Sequence, residues 1–361
     1  MEEASVSDEA AAQVGSESLY AIQPIPGKGL GLIATKDIPK GTRILSELPL
    51  FKVSPGESNR QILTDHITKA LKDLDKEKQR AFLDLPNVYG LDDGPFLGIT
   101  RSNAMPLGPD APQAGLFLDA ARINHSCRPN AHKSWNANIV RLTVHALCDI
   151  KQGQEITISY LEITKIYVVR QALLKRLLFD CKCELCSAPR HRRQQSDGRI
   201  HAVEMVEMGL HMYFSESLSY LPAHDYAGGL TYALGMFTEL KAEGARDARF
   251  PGVYHTAFKI SVKNGDKTRA KIFAERAYAA RVVVEGDDSP LAVELAQFVE
   301  EPTRHPLYRP SADGKEVELP RELSASQFEK WLWKQRPDVG EEEDEDEIEE
   351  SESEDEDDDD L

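Results

Sequence analysis

Seven consecutive residues, Asn124-His-Ser-Cys-Arg-Pro-Asn130, constrain this chain more than any other stretch. They place two amides, an imidazole and a thiol between apolar, strand-like runs. Pro129 fixes its own φ at roughly −65° and pushes Arg128 toward an extended conformation. Such a segment reads as a loop held inside a sheet-rich domain, where each polar group finds a partner or does chemistry. A purely structural, hydrogen-bonded loop is the plain alternative until other stretches are added.

The neighbouring sequence supplies the sheet. Tyr20-Ala-Ile22 leads into Pro24-Ile-Pro-Gly-Lys-Gly-Leu-Gly-Leu-Ile33, and Asp37-Ile-Pro-Lys-Gly41 is a turn. Asp149-Ile-Lys-Gln-Gly153 repeats that form before Glu155-Ile-Thr-Ile-Ser-Tyr160, so both read as strand–turn–strand units. Gly27, Gly29 and Gly31 do not make a dinucleotide fingerprint, because no helix follows them. They suit a turn that lets backbone approach a ligand or a neighbouring strand. Residues 139–150 alternate at period two, which predicts Val140, Leu142, Val144, Ala146, Cys148 and Ile150 on a buried face and His145 on a mixed, solvated one.

Helical periods lie elsewhere. Residues 60–85 read as helical and stop at Pro86, and 88–115 are rich in glycine and proline, with Ile99-Thr-Arg-Ser-Asn-Ala-Met105 as an ordered island. Residues 162–179 turn helical again, and Arg190-His-Arg-Arg193 reads as a solvated linker. From about 200 to 301 the chain is all helical, with Val203, Val206, Leu210 and Tyr213, then Phe273, Ala277, Ala280 and Val284, on core faces. Its Met and aromatic residues read as helix-packing core. Ser326-Gln-Phe-Glu329 reads as a capping box opening a last short helix.

Cysteine is sparse, five in all, which argues for a reducing compartment rather than a disulfide scaffold. Three of them form Cys181-Lys-Cys183-Glu-Leu-Cys186, a spacing that suggests a structural zinc site wanting four ligands. With Cys148 assigned to the strand face, Cys127 is the candidate fourth ligand and His191 its rival. Charge needs dissection too: residues 341–360 hold seventeen of the acids, and removing them from the net charge of −18 leaves about −1. A near-neutral body argues against a strongly basic nucleic-acid binder. The acidic tail reads as disordered and solubilising, or as attractive to basic partners such as histone tails. No apolar run approaches a membrane span, and Met1 to Ser18 looks like neither a signal nor a transit peptide.

Asn124-His-Ser-Cys-x-Pro-Asn130, Gly153-x-Glu-Ile-Thr-Ile-Ser-Tyr160 and the C-x-C-x-x-C cluster together resemble the SET-domain protein lysine methyltransferases. The opening Gly27-Lys-Gly-Leu-Gly31 and Asn103-Ala104 fit as well. The combination is similar to the SET-and-MYND branch and its MYND-lacking fungal relatives, over about residues 19–188. The resemblance implies an α+β protein: a SET-domain β-fold of short sheets around a pseudoknot, a zinc-bound post-SET segment and an all-helical, tetratricopeptide-like C-terminal domain. The boundaries it implies are a disordered tail (1–18), a SET domain (19–161, with an insert at 60–115), a post-SET helix and zinc cluster (162–188), a helical domain (195–305), an extension with a short helix (306–340) and the acidic tail (341–361).

The same resemblance implies S-adenosylmethionine as cofactor and a lysine ε-amine of a protein, histone or non-histone, as methyl acceptor. Carried over by position, Lys28, Leu30, Asn103, Ile123, Asn124, His125, Tyr160 and Phe179 would line the cofactor pocket, with Phe179 against adenine and Tyr160 as the catalytic tyrosine. Cys127, Cys181, Cys183 and Cys186 would hold structural zinc. A monomer in the nucleus or cytoplasm, binding neither membrane nor nucleic acid directly, is the corresponding expectation. Three departures stand out. No cysteine occurs between Phe51 and Thr100, so the MYND finger is missing. Leu177 stands where relatives often place a second active-site tyrosine, which leaves channel width and methylation degree open. Ala121 replaces a serine seen near the cofactor in some relatives. The rival reading is a non-catalytic SET-fold interaction protein that docks partners by its helical domain and tail.

Overall fold

A computed structural model of the chain describes residues 18–90, 93–161, 165–214, 226–310 and 317–335. The tails expected at 1–18 and 341–361 lie outside them, Ser18 excepted. Among the described residues no helix is long and apolar enough to cross a membrane.

Three short sheets form the first half. Strands β1 (Tyr20–Ile25) and β2 (Gly29–Ala34) make a hairpin. Its turn needs Gly27 and Gly29 at φ of 74° and 77°, a region that side chains disfavour. The first sheet runs β1, β2, β10 (Glu155–Ile158), β7 (Asn124–His125). β10 is antiparallel to β2 but parallel to β7, pairing Thr157 with Asn124 and Ile158 with His125. A second sheet orders β3 (Arg43–Glu47), β9 (Arg141–Ala146) and β8 (Ala131–Asn136). Leu32, Ile38, Phe117, Val144, Ile150 and Ile156 form the core between these sheets, each contributing ~1.5–3 kcal/mol by burial. The two Asp-Ile-x-x-Gly units face each other: Ile38 and Ile150 exchange backbone hydrogen bonds of 2.8 and 2.9 Å. Their aspartates cross over, Asp149 accepting from the Lys40 N–H and Asp37 from Lys151.

The third sheet, β4 (Phe51–Val53), β6 (Ala114–Leu116) and β5 (Met105–Pro106), closes the neck of the segment between its strands. The helix expected over 60–85 is two helices, α1 (Arg60–Lys72) and α2 (Lys76–Leu83). Asp75 interrupts them because its carboxylate caps the second, accepting the Lys78 N–H at 2.8 Å. Of the ordered island at 99–105, residues 99–103 end a helix, α3 (Pro95–Asn103), started by a proline at its first turn, and Met105 opens β5.

After the sheets come α4 (Tyr167–Lys175), α5 (Glu184–Ser187) and a sequentially packed array: α6 (Arg190–Phe214), α7 (Tyr226–Glu243), α8 (Arg249–Lys263), α9 (Lys267–Glu285) and α10 (Pro290–Glu300). Tyr213, Leu230, Phe258, Phe273 and Trp333 are among its buried side chains. Five sequence expectations are corrected here. Arg190-His-Arg-Arg193 is the first turn of α6, with Arg193 stacked 4.2 Å from the Tyr167 ring. Met205, Met208 and Met212 are exposed rather than core. His145 is 1% exposed, because α9 covers the face of β8 and β9 that alternation left to solvent. On the same run, Val140 is exposed in a left-handed turn and Cys148 only half-buried past the strand end. Finally, the capping box of α11 (Ala325–Leu332) is Ser324 with Gln327. Glu329 is occupied elsewhere, accepting from Arg276 on α9 and from the Trp333 indole.

Candidate active site

The polar loop is placed from both ends. On its entry side, the carboxylate of Glu47, at the end of β3, accepts three successive backbone N–H groups: Leu118 at 2.6 Å, Asp119 at 3.1 Å and Ala120 at 3.0 Å. Those donors open a 3-10 turn, Ala120–Arg122, that delivers Ile123 and β7. Sequence reasoning passed over Glu47, since nothing local marks a carboxylate that caps a turn seventy residues away. On the exit side, Asn130 clips β10, its Oδ1 accepting the Thr157 N–H at 2.8 Å and its Nδ2 donating to the Glu155 carbonyl at 2.9 Å.

Between these anchors each polar group of the loop has a defined role. Asn124 Nδ2 donates to the Leu30 carbonyl and to Glu155 Oε1. Lys28 reaches the other oxygen of Glu155 at 2.6 Å. The approach is close enough that a Cβ on Gly31 would sit 2.7 Å from both Asn124 Nδ2 and Ile25 Cγ1. Gly31→Ala is therefore expected to destabilise the fold by ~1–3 kcal/mol and to weaken any ligand held beside Asn124. Denaturant unfolding and a binding titration check both effects.

His125 Nδ1 accepts the Tyr160 backbone N–H at 2.9 Å, so the ring proton sits on Nε2, which faces Cys127 Sγ at 3.3 Å. Burial pushes this imidazole down to about 4 and keeps it neutral. The Tyr160 hydroxyl donates to the Ile123 carbonyl at 2.8 Å. Burial, reinforced by the Glu155 charge, pushes its phenol up to about 12. The residue still keeps 36% of its surface, so one end of the phenol is tied down while the side chain borders solvent. Phe179 completes an aromatic trio, 6.0 Å from both the Tyr160 and His125 rings.

Directly behind His125, the sulfurs of Cys127, Cys181, Cys183 and Cys186 lie within 4.8 Å of one another. Cys127 is 3.9 Å from Cys181 and 3.6 Å from Cys186. A tetrahedral ion with bonds of ~2.3 Å needs ligand separations of about 3.8 Å, so this donor set fits a four-thiolate site for a metal such as zinc. His191, the rival ligand, is exposed on α6 outside the cluster. Gln171 on α4 braces the group through both backbone atoms of Cys181.

Thus Lys28, Leu30, Ile123, Asn124, His125, Tyr160 and Phe179 fall in one contiguous network. Asn103 stands outside it: its amide donates to the Pro86 and Ile99 carbonyls, while its Oδ1 accepts nothing among the described residues. Leu177 packs with the cysteine cluster, and Ala121 packs against the core of the α1–α3 segment.

Known proteins resemble this chain over much of its length. A family profile described as SET domain matches residues 29–161. Histone-lysine N-methyltransferase set5 of Schizosaccharomyces pombe is 33% identical over 328 residues, covering 89% of this chain and 96% of that protein. Protein-lysine N-trimethyltransferase SMYD5 of Danio rerio is 30% identical over 176 residues, 48% of this chain and 34% of its own length. Its human counterpart is 37% identical over 126 residues, 34% of this chain and 27% of that protein.

Proposed function

The chain belongs to the SET-domain protein-lysine methyltransferases, and we propose that it transfers a methyl group from S-adenosylmethionine to the lysine ε-amine of a protein substrate, a histone being the first candidate. The observation that carries this reading is the parallel pairing of Asn124–His125 with Thr157–Ile158, which ties Tyr160 to the Ile123 carbonyl. Bound beside it, S-adenosylmethionine would supply an electrophilic methyl on a sulfonium.

The chemistry of the side chains suits that ligand. Lys28 answers a carboxylate, the free Oδ1 of Asn124 an ammonium, and the Phe179 ring an adenine, with Leu30 and Ile123 as apolar walls and Asn103 Oδ1 as a further acceptor. In-line displacement asks the protein mainly to align the amine with the methyl carbon. Tyr160, whose proton is committed to the Ile123 carbonyl, turns its oxygen lone pairs to the reacting groups and orients them. Cys127, Cys181, Cys183 and Cys186 would hold zinc in a structural role, fixing the wall that carries Phe179. We read residues 162–188 as a post-SET module and the helical array as tetratricopeptide-like, in a monomer of the nucleus or cytoplasm. The acidic tail would favour basic partners such as histone tails.

The acceptor amine must be neutral, although free lysine has a pKa near ~10.4. The transfer rate should therefore climb through pH ~7 to ~9, by up to about tenfold per unit. Tyr160 stays protonated across that window because its folded pKa is raised to about 12, so it contributes no downturn there. A falling limb below pH 9 in folded protein would contradict its assignment. Calorimetric titration with S-adenosylmethionine tests the pocket itself, and absence of binding by folded, zinc-loaded protein would remove the enzymatic reading.

A further inference from the structure

We infer that Glu243, on the helical array, is a positioning residue for the cysteine cluster, acting through Arg128 of the polar loop. This rests on the four-cysteine metal reading above and extends it to a residue more than fifty positions beyond the last ligand. Glu243 ends α7 and is 5% exposed. Its carboxylate accepts from Arg128 Nη2 at 2.7 Å and Ser196 Oγ at 2.6 Å, and its other oxygen from Arg199 Nε at 2.8 Å. Burial works against its charge, but Ser196 and Arg128 outweigh it and hold the carboxylate below the ordinary glutamate range.

Ser196 and Arg199 belong to α6, so two of the three donors come from within the array. The third comes from the sheet domain, and its position matters. Arg128 lies between Cys127 and the rigid Pro129, and Asn130 then clips β10. The four-residue stretch is held by its sulfur at one end and by Asn130 at the other, with Ser126 Oγ accepting the Arg128 N–H at 3.3 Å and donating to its carbonyl at 3.0 Å between them. Among the described residues the guanidinium is its one side-chain tie to the helical array. Releasing it would loosen the backbone that aims Cys127 Sγ at the other three sulfurs, leaving Ser126 Oγ as its local brace. Partners that orient metal ligands without touching the ion change affinity by ~10–100-fold, and half-exposed Arg128 falls at the lower end of that range.

The test uses the full-length, zinc-loaded chain and follows zinc release to a chromogenic chelator. Arg128→Met and Glu243→Gln are each expected to speed release about tenfold, with helix content unchanged. The double variant should release no faster than either single one, and Arg128→Lys should recover part of the loss. Ser196→Ala removes a bond to the same carboxylate inside the array and should release at the wild-type rate. Wild-type release from Arg128→Met, multiplying effects in the double variant, or equal acceleration by Ser196→Ala would each overturn the latch. Should Glu243→Gln fail to fold, Arg128→Met against Arg128→Lys decides alone. Wild-type protein that retains no zinc would instead sink the metal reading, and the latch with it.

Discussion

Tyr160→Phe is expected to lower methyl transfer by about a hundredfold or more while changing S-adenosylmethionine affinity only a few-fold. The substitution removes one atom. It leaves the ring between His125, 5.2 Å away, and Phe179, 6.0 Å away, so the aromatic trio that would wall the proposed pocket persists. What disappears is the hydroxyl that donates to Ile123 and that, in the proposed mechanism, orients amine and methyl. Fixed polar groups at a reacting centre are commonly worth ~10²–10³ in rate, whereas one lost hydrogen bond costs only ~1 kcal/mol of stability. Rate and stability should therefore separate. Single-turnover transfer read beside a thermal melt shows the separation. Full-rate transfer by the variant would remove the hydroxyl from the mechanism.

Cys127→Ser should have an effect of comparable size by a different route. A serine oxygen is a poor zinc ligand and sits short of the position that the sulfur holds, 3.6 Å from Cys186 and 3.9 Å from Cys181. The variant also loses the partner of His125 Nε2. Bound zinc should fall toward zero, and the melting midpoint should drop by on the order of 10 °C as the site's binding energy leaves the folded state. Phe179 stands two residues before Cys181, so loosening the cluster should also cost more than tenfold in cofactor affinity. Chelation of the wild-type protein should reproduce all three changes. Cys148→Ser is the control: that thiol is half-buried outside the cluster, and the variant should keep its metal. Equal zinc content in both variants would refute the site.

The residues of the polar loop were readable in the sequence because their constraints are local. Pro129, two amides and a thiol within seven residues have few ways to be satisfied. The C-x-C-x-x-C spacing announces a missing fourth ligand, and glycines before β2 announce a close backbone approach. Tertiary partners were not readable. Alternation along β9 reports that one face is covered and is silent about the other; α9, more than 120 residues later, buries His145 there. Arg190-His-Arg-Arg193 carries no apolar period, so its helix was invisible until Arg193 found the Tyr167 ring. Glu329 had the spacing of a capping box with Ser326, but an ion pair with Arg276 occupied it, and Ser324 took the role. Glu47 and Glu243 belong to the same class. Each is one carboxylate in an unremarkable stretch, given its job by donors brought from far along the chain.

Asn103 shows the converse. The resemblance implied a cofactor contact for it, yet its amide is spent within the α1–α3 segment, so only Oδ1 is left to serve a ligand. Leu177 is similar in kind: it packs with the cysteines and carries no hydroxyl, so the proposed mechanism has no second phenol from that position.

The most direct measurement incubates the zinc-loaded chain with methyl-deuterated S-adenosylmethionine and core histones, then locates label by mass spectrometry. Label on lysine side chains with the wild type, and its near absence with Tyr160→Phe, is the expected result. Folded wild-type protein that binds the donor yet labels no lysine, in histones or in a whole-cell extract, would contradict it.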